Sequence, residues 1–174
     1  DEINILPTNI KYFYKSDLVN LKPMQPMELS PSHILYILFT SGSTGNPKGV
    51  MVTDNNVEVF IENFSQFYKL PVGYRASQTF DLSFDLSVVD TFFTWINGGE
   101  LCVLNQSELI MPFDYIKREK INFWFSVPTL ASFIYKMNFL KINSFPDLKY
   151  SLFCGEPLPK GVTAKDVILK IIGT

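Results

Sequence analysis

Phe39-Thr40-Ser41-Gly42-Ser43-Thr44-Gly45-Asn46-Pro47-Lys48-Gly49 packs four hydroxyls, three glycines and one lysine into one short stretch. Glycine lets the backbone turn sharply and bring N–H groups close to a ligand. Hydroxyls donate to phosphate oxygens, and Lys48 adds a mobile positive charge. Convergent donors, little bulk and one cation are what polyphosphate recognition needs. The spacing excludes three better-known loops. A Walker loop needs Gly, four residues, then Gly-Lys-Ser/Thr; here the position five after Gly42 is Pro47, and Gly49 follows Lys48. Gly42 and Gly45 are three apart, so the dinucleotide pattern Gly-x-Gly-x-x-Gly is absent. Ser43 has Ser41 two places before it, so there is no Gly-x-Ser-x-Gly nucleophile turn. The alternative is a flexible Gly/Ser turn that holds no ligand.

Two further stretches carry polar groups in apolar surroundings. Residues 80–87 read FDLSFDLS, a tetrad repeated in tandem, with Asp81 and Asp85 as its acids. A carboxylate at a strand-to-helix junction can pair with a buried ammonium, which needs a partner once desolvated. It can equally be a helix N-cap. Residues 153–159 read FCGEPLP, where Gly155 permits close backbone approach. The alternative is a strand end and turn beside a buried Cys154. His33 is the lone histidine, and Cys102 and Cys154 are the two cysteines. So sparse a set does not suggest a zinc site. A Ser-His-Asp or Cys-His hydrolase would have to use His33, which reads as structural. Both cysteines sit in apolar runs and read as buried thiols rather than a disulfide.

These residues must be positioned by a sizeable core. The chain has 174 residues, 47% of them hydrophobic and 15% aromatic, with only 18% charged. That composition excludes a disordered chain, and a net charge of -2 offers no basic surface for nucleic acid or anionic membrane. No apolar run reaches the roughly 18 residues of a membrane span, and the N-terminus does not read as a signal peptide. A cytoplasmic protein is therefore expected. It begins at Asp1 rather than Met, so residues upstream are expected too.

Periodicity predicts the elements. Residues 1–33 are weakly patterned and proline-rich, a short strand followed by a linker. ILYILF (34–39) predicts a buried strand, and 50–53 a short one. Residues 54–68 predict a helix capped by Thr53 or Asp54, with Val57, Phe60, Ile61, Phe64 and Phe67 on one face. A strand near 75–80, a helix over 87–97 ended by Gly98-Gly99, a strand at 100–104 and a helix over 112–119 come next. Then come a strand at 121–127, a helix bearing Leu130, Phe133, Ile134 and Met137, a strand at 149–154 and a helix over 161–171. Trp95 and Trp124 read as core. The alternation implies an α/β fold, a mostly parallel sheet flanked by helices. Ligands then gather at the strands' carboxyl ends, at Thr40, Phe80, Val127 and Cys154.

The loop, the tandem repeat and the FCGEPLP segment together resemble the adenylate-forming enzyme superfamily, whose phosphate loop is written TSGSTGxPKG. They resemble most its amino-acid adenylation domains, of the nonribosomal peptide synthetase and D-alanyl carrier protein ligase type. The resemblance implies that Thr40, Ser41, Gly42, Ser43, Thr44, Gly45 and Lys48 hold the β- and γ-phosphates of ATP. It implies that Asp85, not Asp81, binds a substrate amino group, the match being FDxSV. Leu86 and Val89 would then face the substrate side chain, although core packing explains them equally. Cys154 would abut that side chain, and Gly155, Glu156 and Pro157 would line the cleft toward adenine. The apolar walls suggest a small or aliphatic amino acid. Alternatives are an acyl- or aryl-CoA synthetase segment, or a non-catalytic module that binds nucleotide or a partner chain.

The resemblance implies a parent that uses ATP and Mg²⁺ to form an aminoacyl-adenylate and loads a phosphopantetheinyl carrier protein. It covers about residues 30–159, so residues 34–174 are expected to be part of that family's large N-terminal subdomain. The family's NxYGPTE motif, with its Mg²⁺ ligand, does not occur in this sequence, nor does a late catalytic lysine. Truncation before that motif is expected, with no metal ligand in this chain, no turnover by the chain alone, and apolar surface through which copies could self-associate.

Overall fold

The computed structural model describes residues 30–40, 46–136 and 144–157. The chain divides after Ser30 into two units, and the second, Pro31–Thr174, carries both sheets. Strand β1 (Ile34–Thr40) and strand β2 (Lys48–Thr53) form an antiparallel pair, with Thr40 opposite Lys48 and Phe39 opposite Gly49. Helix α1 (Asp54–Phe67) starts directly at the end of β2. Thr53 caps it: the Asn56 amide donates to Thr53 Oγ1 at 3.3 Å, and the Thr53 amide donates to Asn56 Oδ1 at 3.1 Å. Two orphan donors are satisfied reciprocally.

The second sheet is parallel. Its order is β4-β3-β5-β6, from strands β3 (Arg75–Gln78), β4 (Glu100–Val103), β5 (Phe123–Ser126) and β6 (Tyr150–Phe153). A helical segment, α2, joins β3 to β4. It runs from Leu86–Val88 through a π-helical turn at Val89–Phe93 to Thr94–Ile96. Helices α3 (Gln106–Ile110) and α4 (Phe113–Arg118) lead to β5, and α5 (Pro128–Lys136) comes after it.

All four residues of β5 are buried, and their side chains alternate between two cores. Phe123 and Phe125 join Val57, Ile61, Val89 and Phe93 on the face covered by α1 and α2. Trp124 joins Tyr115, Ile116, Ala131 and Ile134 on the face covered by α4 and α5. A continuous apolar run is what a strand covered on both sides requires, so the parallel α/β architecture is present as expected.

Several expectations are corrected. Residues 34–39 do not form a buried strand of the parallel sheet. The connection between Thr40 and Lys48 has too few residues for a parallel crossover, and β1 pairs antiparallel with β2. Leu35, Tyr36 and Val52 pack on the core, while Ile37, Phe39, Val50 and Met51 are exposed. Thr40 therefore ends a hairpin strand. Trp95 is 59% exposed, against 3% for Trp124. Val89, Asp90, Phe93 and Thr94 are buried positions of α2 at ordinary helical spacing, and Trp95 falls outside that stripe. Phe60 and Phe67 also face outward. Cys102 is buried, but Cys154 is exposed because it lies just past the end of edge strand β6. Both thiols are free. Helix α3 is an addition to the expected elements, although Asn105 and Glu108 form a capping box. Residues 1–29 of the strand and linker assigned to 1–33, Met137, and the helix over 161–171 lie outside the described residues. Among the described residues, no helix is long and apolar enough to cross a membrane.

Replacing Thr53 by Ala should lower stability by about 1 kcal/mol, seen as a lower urea midpoint with unchanged slope. Thr53→Ser should recover most of the loss. An unchanged midpoint in the Ala variant would contradict the role given to this cap.

Candidate functional site

The strand order creates the site. From β3 the chain moves outward to β4, and from β5 it moves outward to β6 on the other side. The connections diverge at the carboxyl ends of β3 and β5 and leave a crevice there, a topological switch point. Thr79 Oγ1 donates to the Phe125 carbonyl and laces the two strand ends together.

The tandem tetrad sits on this crevice, and its two copies differ. Asp81 Oδ1 accepts from the Ser83 amide at 2.8 Å and from Ser83 Oγ at 2.6 Å. These bonds hold the Asp81 carboxyl below its ordinary range, the Ser83 hydroxyl contributing most. Ser87, in the second copy, donates from Oγ to the Phe84 carbonyl at 2.7 Å. Asp85 stands at the N-cap position of α2, yet its side chain makes no capping hydrogen bond. Its carboxylate therefore does not satisfy the helix end.

Three cavities share their walls and form one groove. The first, about 530 Å³, is lined by Tyr36, Thr40, Ser83 and Asp85 among others. The second, about 240 Å³, shares Tyr36, Val52 and Asp85 with the first and adds Phe60, Leu86 and Val89. The third, about 640 Å³, shares Phe60, Leu86 and Val89 with the second and adds Phe125, Cys154 and Glu156. The groove thus runs from the end of β1, past Asp85, to the end of β6. Burial raises the Tyr36 phenol, and the negative charge of Asp85 adds to that.

Six of the residues singled out from the sequence line this groove: Thr40, Asp85, Leu86, Val89, Cys154 and Glu156. Lys48 is exposed and stands opposite Thr40 across the hairpin. Gly155 adopts φ +91°, a conformation that favours glycine, and a Cβ placed on it would lie 3.5 Å from Leu86 Cδ1. Pro157 is exposed and lines none of the three cavities. Glu156 has a structural partner: its Oε2 accepts from the Thr129 amide at 3.3 Å and from the Thr129 hydroxyl. That carboxylate sits at the N-terminus of α5, where the helix dipole favours it. Ser41, Gly42, Ser43, Thr44 and Gly45 lie outside the described residues.

Asp90 is not among the residues that sequence reasoning singles out. It is 1% exposed, and its Oδ2 accepts from the amides of Thr79 at 3.0 Å and Phe80 at 3.3 Å. Its Oδ1 is buried without a partner. Burial pushes its carboxyl up to about 7 against the pull of those two N–H groups. The available signal is an acid inside the apolar run VVDTFF. Tyr36, a hydroxyl inside ILYILF, escapes for the same reason.

Among the described residues, no group of three or more His, Cys, Asp or Glu could hold a metal ion. The profile of the family described as AMP-binding enzyme matches residues 4–169. A D-alanine–D-alanyl carrier protein ligase of Bacillus cytotoxicus is 36% identical over 133 residues, 75% of this chain and 26% of that protein. An L-proline–[L-prolyl-carrier protein] ligase of Pseudomonas fluorescens is 33% identical over 136 residues, 76% and 27% of the two chains. The crystal structure of the Vibrio cholerae adenylation domain AlmE, in complex with glycyl-adenosine-5'-phosphate, superposes with a TM-score of 0.69 at 36% identity. It covers 74% of this chain and 24% of that one. The chain thus spans about a quarter of the length of the curated relatives it matches.

Because folding raises the Asp90 carboxyl, its charged form is disfavoured in the folded state. Its contribution to stability is fullest below the ordinary carboxylate range and is lost as pH rises to about 7. Asp81, Glu108 and Glu119, all lowered chiefly by hydrogen bonds, act in the opposite sense at acid pH. The difference between wild type and Asp90→Asn removes them. Between about pH 4 and pH 7.5, wild type should lose about 2–4 kcal/mol relative to that variant, measured by urea unfolding. A pH-independent difference would refute the assignment.

Proposed function

The chain belongs to the AMP-binding enzyme family, and from that premise we propose that it is the substrate-binding part of an enzyme that activates an amino acid with ATP. Asp85 pairs with the substrate ammonium, while Leu86, Val89 and Cys154 enclose its side chain. The apolar walls suit a small or aliphatic one. The hydroxyls of Thr40, Ser41, Ser43 and Thr44, the backbone N–H groups of Gly42 and Gly45, and the Lys48 ammonium take the β- and γ-phosphates of ATP. Gly155, Glu156 and Pro157 shape the cleft toward adenine. The observation that carries this reading is the single groove containing Thr40, Asp85, Leu86, Val89 and Cys154.

The chemistry rests on charge and position. A substrate carboxylate oxygen attacks the α-phosphorus, a new C(O)O–P bond forms, and the bond to pyrophosphate breaks. Lys48 and the loop donors offset charge gathering on the leaving pyrophosphate. The described residues supply no ligand set for Mg²⁺. The metal would arrive on the phosphates of ATP, as Mg²⁺ commonly does. The aminoacyl group then passes to the phosphopantetheine thiol of a carrier protein, releasing AMP. A carrier protein is what the names of the two ligases above have in common, and the reading adopts it by that likeness.

Titration calorimetry tests the assignments separately. Lys48→Ala should weaken Mg·ATP binding about tenfold and leave amino-acid binding unchanged. Asp85→Asn should do the reverse. Equal ATP affinity in wild type and Lys48→Ala would remove the phosphate role. The 174-residue chain alone should show no amino-acid-dependent exchange of pyrophosphate into ATP. Exchange above the blank would contradict that expectation.

A further inference from the structure

The segment that carries Asp85 is tied at both ends, and the tie is a buried acid. Asp90 lies in the π-helical turn of α2, beside the groove-lining Val89. Its Oδ2 holds the amides of Thr79 and Phe80, the first residues beyond β3. The middle of α2 is thereby fixed against the end of β3, and residues 81–89, helical from Leu86, span the two tied points. Within that span the Phe84 amide donates to the Asp81 carbonyl at 3.0 Å, and Ser83 bonds Asp81 twice. The Val88 amide donates to the Asp85 carbonyl at 3.0 Å. The backbone on either side of Asp85 is therefore set while its carboxylate stays out of the helix cap.

We propose that Asp90 is the positioning residue for Asp85, its buried carboxyl acting through the Thr79 and Phe80 amides to hold the 79–90 segment in the conformation that presents Asp85 to the groove. This rests on the assignment of Asp85 to a substrate ammonium. The arrangement is unfavourable for stability by itself, because one carboxyl oxygen is buried without a partner. Local costs of this kind concentrate at functional sites. The π-turn agrees, since such turns in helices often mark them. The groove wall Val89 and the anchor Asp90 are consecutive residues within it.

The test compares alanine with propionate, the same acid without its ammonium, titrated into the 174-residue chain and followed by amide chemical shifts. The ratio of the two affinities reports the Asp85 contact. Wild type should favour alanine about tenfold, and Asp85→Asn should bring the ratio to about one. Asp90→Asn should keep the wild-type ratio, because its amide oxygen accepts both N–H groups. Asp90→Ala should bring the ratio toward one, leave propionate affinity unchanged, and speed hydrogen exchange at the Thr79 and Phe80 amides. Should Asp90→Ala not fold, Asp90→Leu fills the space without accepting a hydrogen bond and serves in its place. A folded Ala or Leu variant with exchanging amides and the wild-type ratio would overturn the proposal while leaving Asp85 in place. A wild-type ratio of one would overturn the Asp85 assignment, and this proposal with it.

Discussion

The structure depends on the burial of one ring. Phe123, at the centre of the parallel sheet, lies 6.5 Å from the ring of Phe64, 5.9 Å from Tyr68, 5.2 Å from Phe93 and 6.4 Å from Tyr150. Those partners come from α1, the segment after it, α2 and β6. Tilted and edge-on rings at these separations attract beyond the area they bury. A single residue thus sets α1 and α2 on one face of the sheet and fixes both relative to β6. The groove walls depend on it, because Phe60, Leu86, Val89 and Cys154 project from elements that Phe123 holds.

Around that core, the polar groups do two different jobs. Asp81, Glu156 and Asp90 accept hydrogen bonds that fix a turn, a helix end and a strand end. Asp85 makes no capping bond at its helix end. The difference between the two copies of FDLS shows that identical residues four positions apart acquire unlike roles. The first copy lies in the turn itself, where Asp81 and Ser83 satisfy each other. The second begins the helix, where Ser87 turns back onto Phe84 and leaves the Asp85 carboxylate beside the groove.

Much of this is legible in the sequence, and the failures have physical causes. The alternation of apolar runs with amphipathic stretches locates β4 to β6 and most of the helices between them, because a strand covered on both faces is largely apolar, whereas β3, read as Arg75-Ala76-Ser77-Gln78, carries no apolar run. FWFS reads that way and is buried throughout. ILYILF reads that way too and is half exposed. Its partner is fixed by the short connection to Lys48, information carried by chain length and not by hydropathy. Trp95 departs from expectation because its residue type is apolar while its position falls outside the buried stripe of Val89, Asp90, Phe93 and Thr94. Cys154 departs from it because burial at a strand's end depends on whether the strand lies at the sheet edge. Of the site, the motif-bearing residues lining the groove are legible, whereas Asp90 is not. Its function comes from two backbone amides ten and eleven positions away, and backbone donors leave no trace in side-chain type.

The central claim is that one groove, running from Thr40 past Asp85 to Cys154, receives an aminoacyl-adenylate. Nuclear Overhauser contacts from a non-hydrolysable alanyl-sulfamoyl-adenosine to the methyl groups of the chain test it most directly. The account predicts contacts from the alanyl methyl to Leu86 and Val89, with the Asp85 carboxylate resonance shifting on binding. Contacts confined to the opposite side of α1, at Leu35 and Ile96, with Asp85 unmoved, would contradict it.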